Sequence, residues 1–447
     1  LQFAQQKLQF GLGNINHGFK HISSLFMLMS LNYLPFVEHY FFNLTNFCFL
    51  VFFVYFIYKE IYYRSKNNHN ISLILLALFL ILILVKFSRI AEYGADIAGQ
   101  IIIAIYVFYN FELIFNNKLS YQNKILYIKI SLFLLIFAIS TKFILVIYSL
   151  IVFLFLFYLK EKKKLILNIF NLKYFIFLIL PVCFLFFFNF VSTGCIIYPV
   201  SYSCFSDNFE WALPMQTVND LKIHYEIWSK GGKGPTFEVL QPEEYIRSFN
   251  WVSNWISVYF FNKFLDYLVL ILFIILVLYC FFYKQIIKRK KEKIFTNKFF
   301  TVLISLIIIF IVWFMNFPTL RYAGYLIVFL VVSYPFISFL NNKVNLKDTS
   351  QIKKITIIFL ISYFIFFIKN TNRIYNELNI PINEHHNFKN FPFYWVDHVN
   401  YDEIEIYNHK VYKVNGKCWD TPSTCVRNTN RLKIYKKKGY IYYSIIK

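Results

Sequence analysis

The sequence predicts an all-α polytopic membrane protein of about ten transmembrane helices, with a long outer loop and a small β-rich C-terminal outer domain. Three observations carry that expectation. Of 447 residues, 58% are hydrophobic and only 15% charged, too little polar surface to clothe a soluble domain of this size. The apolar residues, mainly Phe, Ile, Leu and Tyr, form runs of roughly 15–20 residues, the helix length that crosses a hydrocarbon core about 30 Å thick. The basic residues behind a formal net charge of +23 fall largely in short connectors between those runs. That is the distribution of a membrane-topology signal and not of a nucleic-acid-binding face. Membrane lipid is the expected surrounding, and nucleic acid is set aside as a partner.

Residues 1–38 form an outer segment. Its apolar stretch, 22–37, carries Ser23, Ser24, Asn32 and Pro35 and follows His21. It reads as an interfacial or re-entrant helix, because a full span here would invert every later connector. A first membrane bundle covers 39–191, with spans at 39–58, 71–87, 97–115, 125–139, 142–158 and 174–191. The long outer loop, 192–263, precedes a second bundle over 264–369, with spans at 264–283, 299–314, 322–340 and 355–369. Connectors 59–70, 116–124, 159–173, 284–298 and 341–354 are basic, whereas the opposing 88–96, 140–141 and 315–321 hold only Arg89 and Arg321. The positive-inside rule therefore puts the basic set in the cytoplasm and the three polar pieces outside. Within the last of these, 370–447, segment 403–414 alternates, and Asn415-Gly416 and Lys438-Gly439 are turn dipeptides, a pattern of small β-hairpins. The chain begins at Leu1, on the outside and without a cleavable signal sequence, so an earlier span is expected upstream of it.

Cys48, Cys183 and Cys280 lie within predicted spans and read as small apolar fillers. Cys195, Cys204, Cys418 and Cys425 all fall on the outer side, where disulfides persist. Pairing of Cys418 with Cys425 and of Cys195 with Cys204 is expected. Neither spacing matches a paired C-x₂-C zinc site, and no histidine cluster accompanies them.

The polar residues that a bilayer would exclude collect at the outer ends of the spans. Asp96 stands at the mouth of one span with Gln100 one turn further in, after a connector that also carries Arg89 and Glu92. Such a carboxylate can hold a divalent metal or orient a hydroxyl, or it can cap the helix beginning at Ile97. Lys142, in a nearly loop-free junction, either snorkels to the surface or offers its cation to a lipid phosphate. Arg321 and Tyr322, in the run Phe317-Pro318-Thr319-Leu320-Arg321-Tyr322, have the fork and the hydroxyl that bind phosphate, or they anchor the span in an aromatic belt. Glu112 and Lys86, near opposite ends of their spans, are explained by interfacial placement. No Walker loop, HExxH, nucleophile elbow or dinucleotide fingerprint occurs.

Several segments together carry a family resemblance. Gly11-Leu12-Gly13-Asn14-Ile15-Asn16-His17-Gly18, followed by Ser23-Ser24, resembles a "GLANLHxR…NSS" stretch. Asp96, the turn Ser140 to Lys142, Thr193-Gly194, Tyr198-Pro199, Cys204-Phe205, Pro318 with Arg321 and Tyr322, and the run Cys418 to Cys425 follow in matching order. The chain is thereby similar to a family of large bacterial inner-membrane proteins that look like GT-C glycosyltransferases. It departs from the pattern at Asn16, where a leucine is usual, and at His21, which replaces a less polar residue. The key acid of GT-C enzymes, in the first outer loop, would precede Leu1.

The resemblance implies a donor sugar linked to polyprenyl phosphate and an envelope glycan or lipid as acceptor. Arg321, Tyr322, Lys142 and Arg89 would hold the donor phosphate. Asp96 and His17 would be the catalytic candidates, with Asp96 also the candidate ligand of a divalent metal, Mg or Mn. The protein would sit in a bacterial inner membrane with its C-terminal domain in the periplasm. The alternatives are an O-antigen polymerase or ligase, or a lipid-linked glycan flippase or transporter. A transporter is expected to carry polar groups near the bilayer midplane, whereas these gather at the edge.

Overall fold

A computed structural model describes residues 2–36, 41–67, 70–86, 94–152, 171–232, 238–288, 296–343, 349–379, 399–416, 418 and 421–445. The chain opens with one helical turn, α1 (Gln2–Gln5), a short strand, β1 (Gln9–Phe10), and two 3-10 turns, Leu12–Asn14 and His17–Lys20. The seven-residue helix α2 (Ser24–Ser30) follows, capped by Ser23, whose hydroxyl accepts from the Leu25 N–H. Then come α3 (Leu44–Asn67), α4 (Asn70–Lys86), α5 (Asp96–Phe115) and α6 (Tyr121–Thr141), and, beyond a 3-10 segment at Phe143–Ser149, α7 (Leu172–Thr193). The long connector after α7 holds α8 (Met215–Ser229) and α9 (Pro242–Ile246). From α10 (Val252–Trp255) the chain runs through a π-helical segment, Ile256–Phe264, into α11 (Leu265–Lys288). The last helices are α12 (Asn297–Asn316), α13 (Tyr325–Lys343) and α14 (Thr349–Asn379). Strands β2 (Asp402–Ile406), β3 (His409–Lys413), β4 (Cys425–Val426), β5 (Leu432–Lys437) and β6 (Tyr440–Ile445) end the chain.

Among the described residues, eight helical stretches are long and apolar enough to cross a membrane, which makes this a multi-pass membrane protein. The sequence predicts about ten. The two further predicted spans coincide with shorter apolar helices, Ile71–Lys86 and Phe143–Val152, and the second of these runs up to residues outside the described set. Helical structure also begins at Val252, inside the stretch that the sequence assigns to the outer loop.

The layering follows from which helices have a polar face. Helix α4 is apolar on all sides, and from Leu73 to Val85 every residue is buried, which places it at the centre of the bundle. It packs against α3, α5, α11, α13 and α14. Helix α5 is nearly as enclosed, with 16 of its 20 residues buried. The peripheral helices instead expose large apolar side chains, such as Leu180 and Phe187 on α7 and Leu360 and Phe364 on α14. Lipid is the solvent that accepts such a surface.

At the end of the bundle where α7 finishes, the N-terminal segment and the C-terminal strands pack together. Strand β1 pairs in parallel with β6, giving the order β1-β6-β5. Gly11 turns with φ 74°, and a Cβ there would lie 2.2 Å from the Tyr443 carbonyl oxygen, so only glycine fits. Asn14 Nδ2 then donates to the carbonyls of Trp211, at 2.8 Å, and Tyr443, at 2.9 Å. The GLGN run is thus a joint between the N-terminal segment, the long connector and the tail. A second sheet has the order β2-β3-β4. Its hairpin turns at Tyr407-Asn408, both with positive φ, and not at Asn415-Gly416, because the alternating segment 403–414 folds back on itself with Ile406 opposite His409. The β5–β6 hairpin turns at Lys438-Gly439, as the dipeptide indicates. Cys195 is bonded to Cys204 and Cys418 to Cys425.

Candidate functional site

Three helix ends, far apart in sequence, deliver polar side chains to one point. Asp96 lies in the first turn of α5, where the helix dipole favours a carboxylate. Ala95 occupies the cap position and no side chain caps the helix, so the carboxylate is not engaged as a cap. Helix α6 ends at Thr141, and Lys142 continues in extended backbone. Helix α2 fixes this junction. Ser23 Oγ donates to the Thr141 carbonyl at 2.7 Å, and the Ser24 and Ser140 hydroxyls are hydrogen-bonded at 2.8 Å. Arg321 comes from the break before α13.

The Lys142 ammonium and the Arg321 guanidinium each form an ion pair with Asp96, one on each carboxylate oxygen. Lys142 also donates to the Arg321 carbonyl at 3.2 Å and stands 4.4 Å from the centre of the Tyr322 ring. Asp96 and Lys142 are 22% and 20% exposed, whereas Arg321 is 62% exposed. Among the described residues the group carries two cations against one carboxylate, and its guanidinium is the most exposed part.

The backbone that presents Arg321 is held by aromatic side chains. Trp255 Nε1 donates to the Pro318 carbonyl at 2.6 Å, Trp313 Nε1 to that of Thr319 at 3.2 Å, and the Tyr148 hydroxyl to that of Ala323 at 2.7 Å. Ala323 takes a left-handed conformation, φ 66°, and Gly324 packs so closely that a Cβ would lie 2.4 Å from Trp313 Cζ2. No motif in the sequence marks these three residues: Trp313 and Tyr148 are rings with a polar tip inside predicted spans, and Trp255 falls in the stretch predicted as outer loop.

A second group adjoins the first. His17 and His21 stand with ring centres 5.8 Å apart, and the Tyr225 ring lies 5.4 Å from His17 and 4.7 Å from His21. The Tyr225 hydroxyl is 3.2 Å from that of Tyr198 and 3.3 Å from His17 Nε2. Protein packed around His21 holds its pKa at about 4, with His17, Lys142 and Lys20 adding to the depression. Burial, then Lys20, His224 and Arg427, lowers that of His17. Both rings are nevertheless exposed to solvent, so with Tyr225 they form an accessible aromatic wall, and both are neutral at pH 7. Burial first, then Tyr198 and Tyr322, keeps the Tyr225 hydroxyl protonated. Helix α8 supplies Tyr225 and, three residues on, Trp228, whose ring centre is 5.8 Å from that of Tyr322. The influence of Lys142 on His21 and of Tyr322 on Tyr225 ties the wall to the cation group.

The family model described as "Domain of unknown function (DUF8201)" matches residues 8–328. The chain belongs to the DUF8201 family. The matched stretch takes in His17, Asp96, Lys142, Arg321 and Tyr322 alike, and the C-terminal strands lie beyond it. No curated protein and no solved structure matches this DUF8201 chain.

The other candidates fall elsewhere. Arg89 lies outside the described residues. Lys86 sits 4.7 Å from the centre of the Tyr325 ring. Glu112, near the end of α5, is fully buried and paired at 2.5 Å with Arg64, itself 2% exposed and near the end of α3. Gln100 is buried, and its amide meets no partner among the described residues. Nor do the described residues gather three of His, Cys, Asp and Glu in one place. Among the described residues Asp96 belongs to no such group and stands beside two cations, a donor set that does not fit a divalent metal.

Proposed function

We propose that the protein binds a polyprenyl-phosphate-linked sugar at the outer face of a bacterial inner membrane and transfers the sugar to an envelope glycan or lipid. The observation that carries this reading is the convergence of Lys142 and Arg321 on Asp96, with the Tyr322 ring beside Lys142, at the ends of α5, α6 and α13. A lipid-linked phosphate is an anion held at the edge of a bilayer, and an open guanidinium beside an ammonium is the donor set that receives one. The resemblance to GT-C glycosyltransferases supplies the reaction class.

The residues divide the work as follows. Arg321 and Lys142 turn from Asp96 to the phosphate, and Tyr322 supplies a hydroxyl. Asp96 acts as the counter-ion that keeps the two cations together, a role suited to a carboxylate already engaged on both oxygens. His17, neutral at pH 7, takes the proton of the acceptor hydroxyl. The acceptor oxygen bonds to the anomeric carbon, the bond from that carbon to the phosphate oxygen breaks, and its electron pair leaves with the polyprenyl phosphate. The two cations stabilise that charge as it develops. No step is assigned to Mg or Mn, since the donor set at Asp96 does not suit them.

Binding of farnesyl phosphate to the purified chain in detergent tests the reading. Wild type is expected to bind it, and Arg321→Ala is expected to weaken binding by about tenfold or more, the effect of one charge-assisted contact. Unchanged binding in Arg321→Ala, with the protein folded, would remove the phosphate site and the transfer reaction built on it.

A further inference from the structure

We infer that the Tyr225–Trp228 face of α8, with His17 and His21 packed beside Tyr225, is the subsite for the sugar ring of the donor. The inference rests on the phosphate reading above and adds the position and chemistry of the group next to the phosphate.

The geometry supports a carbohydrate there. Tyr225 and Trp228 share one face of α8 and are only partly buried, so their rings are open to a ligand. Carbohydrates present a face of C–H groups that packs on aromatic rings and a rim of hydroxyls that needs donors and acceptors. The wall offers both. Trp228 and Tyr225 supply ring faces. The Tyr225 hydroxyl and the neutral imidazoles of His17 and His21 supply groups that donate on one atom and accept on another. A wall of purely cationic groups would offer only donors.

The spacing assigns the donor sugar and not the acceptor. The Lys142 ammonium is 4.4 Å from the Tyr322 ring centre, which is 5.8 Å from that of Trp228. The Tyr322 ring thus adjoins both Trp228 and the cation that takes the phosphate. A pyranose attached to that phosphate through its anomeric carbon reaches this wall directly.

The test compares farnesyl phosphate with farnesyl phosphate bearing glucose, galactose or mannose, each bound to the full chain in detergent. At least one glycosylated probe is expected to bind wild type about fivefold to tenfold more tightly than the bare phosphate, the size of one aromatic packing contact. Trp228→Ala should abolish that difference, and Trp228→Phe should restore part of it. Each variant's own binding of farnesyl phosphate is the reference for the ratio and also shows that it is folded. If the glycosylated probes bind no better than the bare phosphate, or if Trp228→Ala keeps the preference, the sugar subsite is wrong while the phosphate site stands. If farnesyl phosphate itself does not bind wild type, or binds Arg321→Ala equally well, the phosphate reading fails and this inference falls with it.

Discussion

Replacing Asp96 with Asn separates a counter-ion from a ligand-holding carboxylate. Asp96 touches both cations that are assigned to the phosphate. A phosphate bridging the same two groups would sit roughly 5–6 Å from the carboxylate. Two like charges at that separation repel by about 3 kcal/mol at an effective dielectric constant near 20, and by about half that in a more open site. Arg321, at 62% exposed, marks the site as open, so the lower figure applies. Asp96→Asn removes the repulsion but keeps one oxygen as an acceptor for Lys142 or Arg321. It is therefore expected to tighten farnesyl phosphate binding about tenfold, and to lower stability by about 1–2 kcal/mol through loss of a half-buried pair. Calorimetric titration at fixed ionic strength, with thermal unfolding alongside, measures both. Weaker phosphate binding in a folded Asp96→Asn protein would refute the counter-ion role and return Asp96 to metal binding or direct substrate contact.

Two further outcomes follow from other groups. His21 is held near 4 in the folded state against about 6.5 unfolded, so below about pH 6.5 the unfolded chain binds the extra proton first. Stability should fall as pH drops from 6.5 towards 4 and level off below that, and His21→Gln should flatten the slope in a pH series of melting temperatures. Glu112→Gln leaves Arg64 buried with only Glu60, at 3.0 Å, as its remaining carboxylate. A loss of about 2–3 kcal/mol is expected in thermal unfolding, and joint replacement by Arg64→Met and Glu112→Leu should recover most of it.

The spans were legible because burial in lipid demands length and apolarity, and both are written along the chain. The meeting of Asp96, Lys142 and Arg321 was only half legible. Alternating connector charge assigns all three to the same side, but nothing in sequence spacing sets them within contact of one another. That depends on Ser23 and Ser24 pinning the Lys142 junction and on Trp255, Trp313 and Tyr148 holding the backbone around Arg321. The partner of Glu112 was illegible for a related reason: Arg64 arrives from a different helix. The wall on α8 was missed outright. His224, Tyr225 and Trp228 have helical spacing, yet they lie in a connector read as loop, where a single face of aromatic residues has no apolar run to announce it.

The charge balance gives this arrangement its logic. Two cations forced together at the edge of a bilayer repel, and a site built from them alone would splay apart or stay solvated. Asp96 removes that repulsion in the free protein, at the price of competing with any anion that arrives. The competition is tolerable because Arg321, the most exposed of the three, can turn outward without moving backbone that Trp255 and Trp313 hold in place. Among the described residues, one carboxylate facing two cations leaves an incoming phosphate more to gain from the pair of cations than Asp96 loses. The same reasoning explains why neutral histidines suit the adjoining wall. Were His17 and His21 charged at pH 7, they would draw the phosphate away from Lys142 and Arg321, and the surface would lose the gradient that separates an anion-binding end from a hydroxyl-binding one.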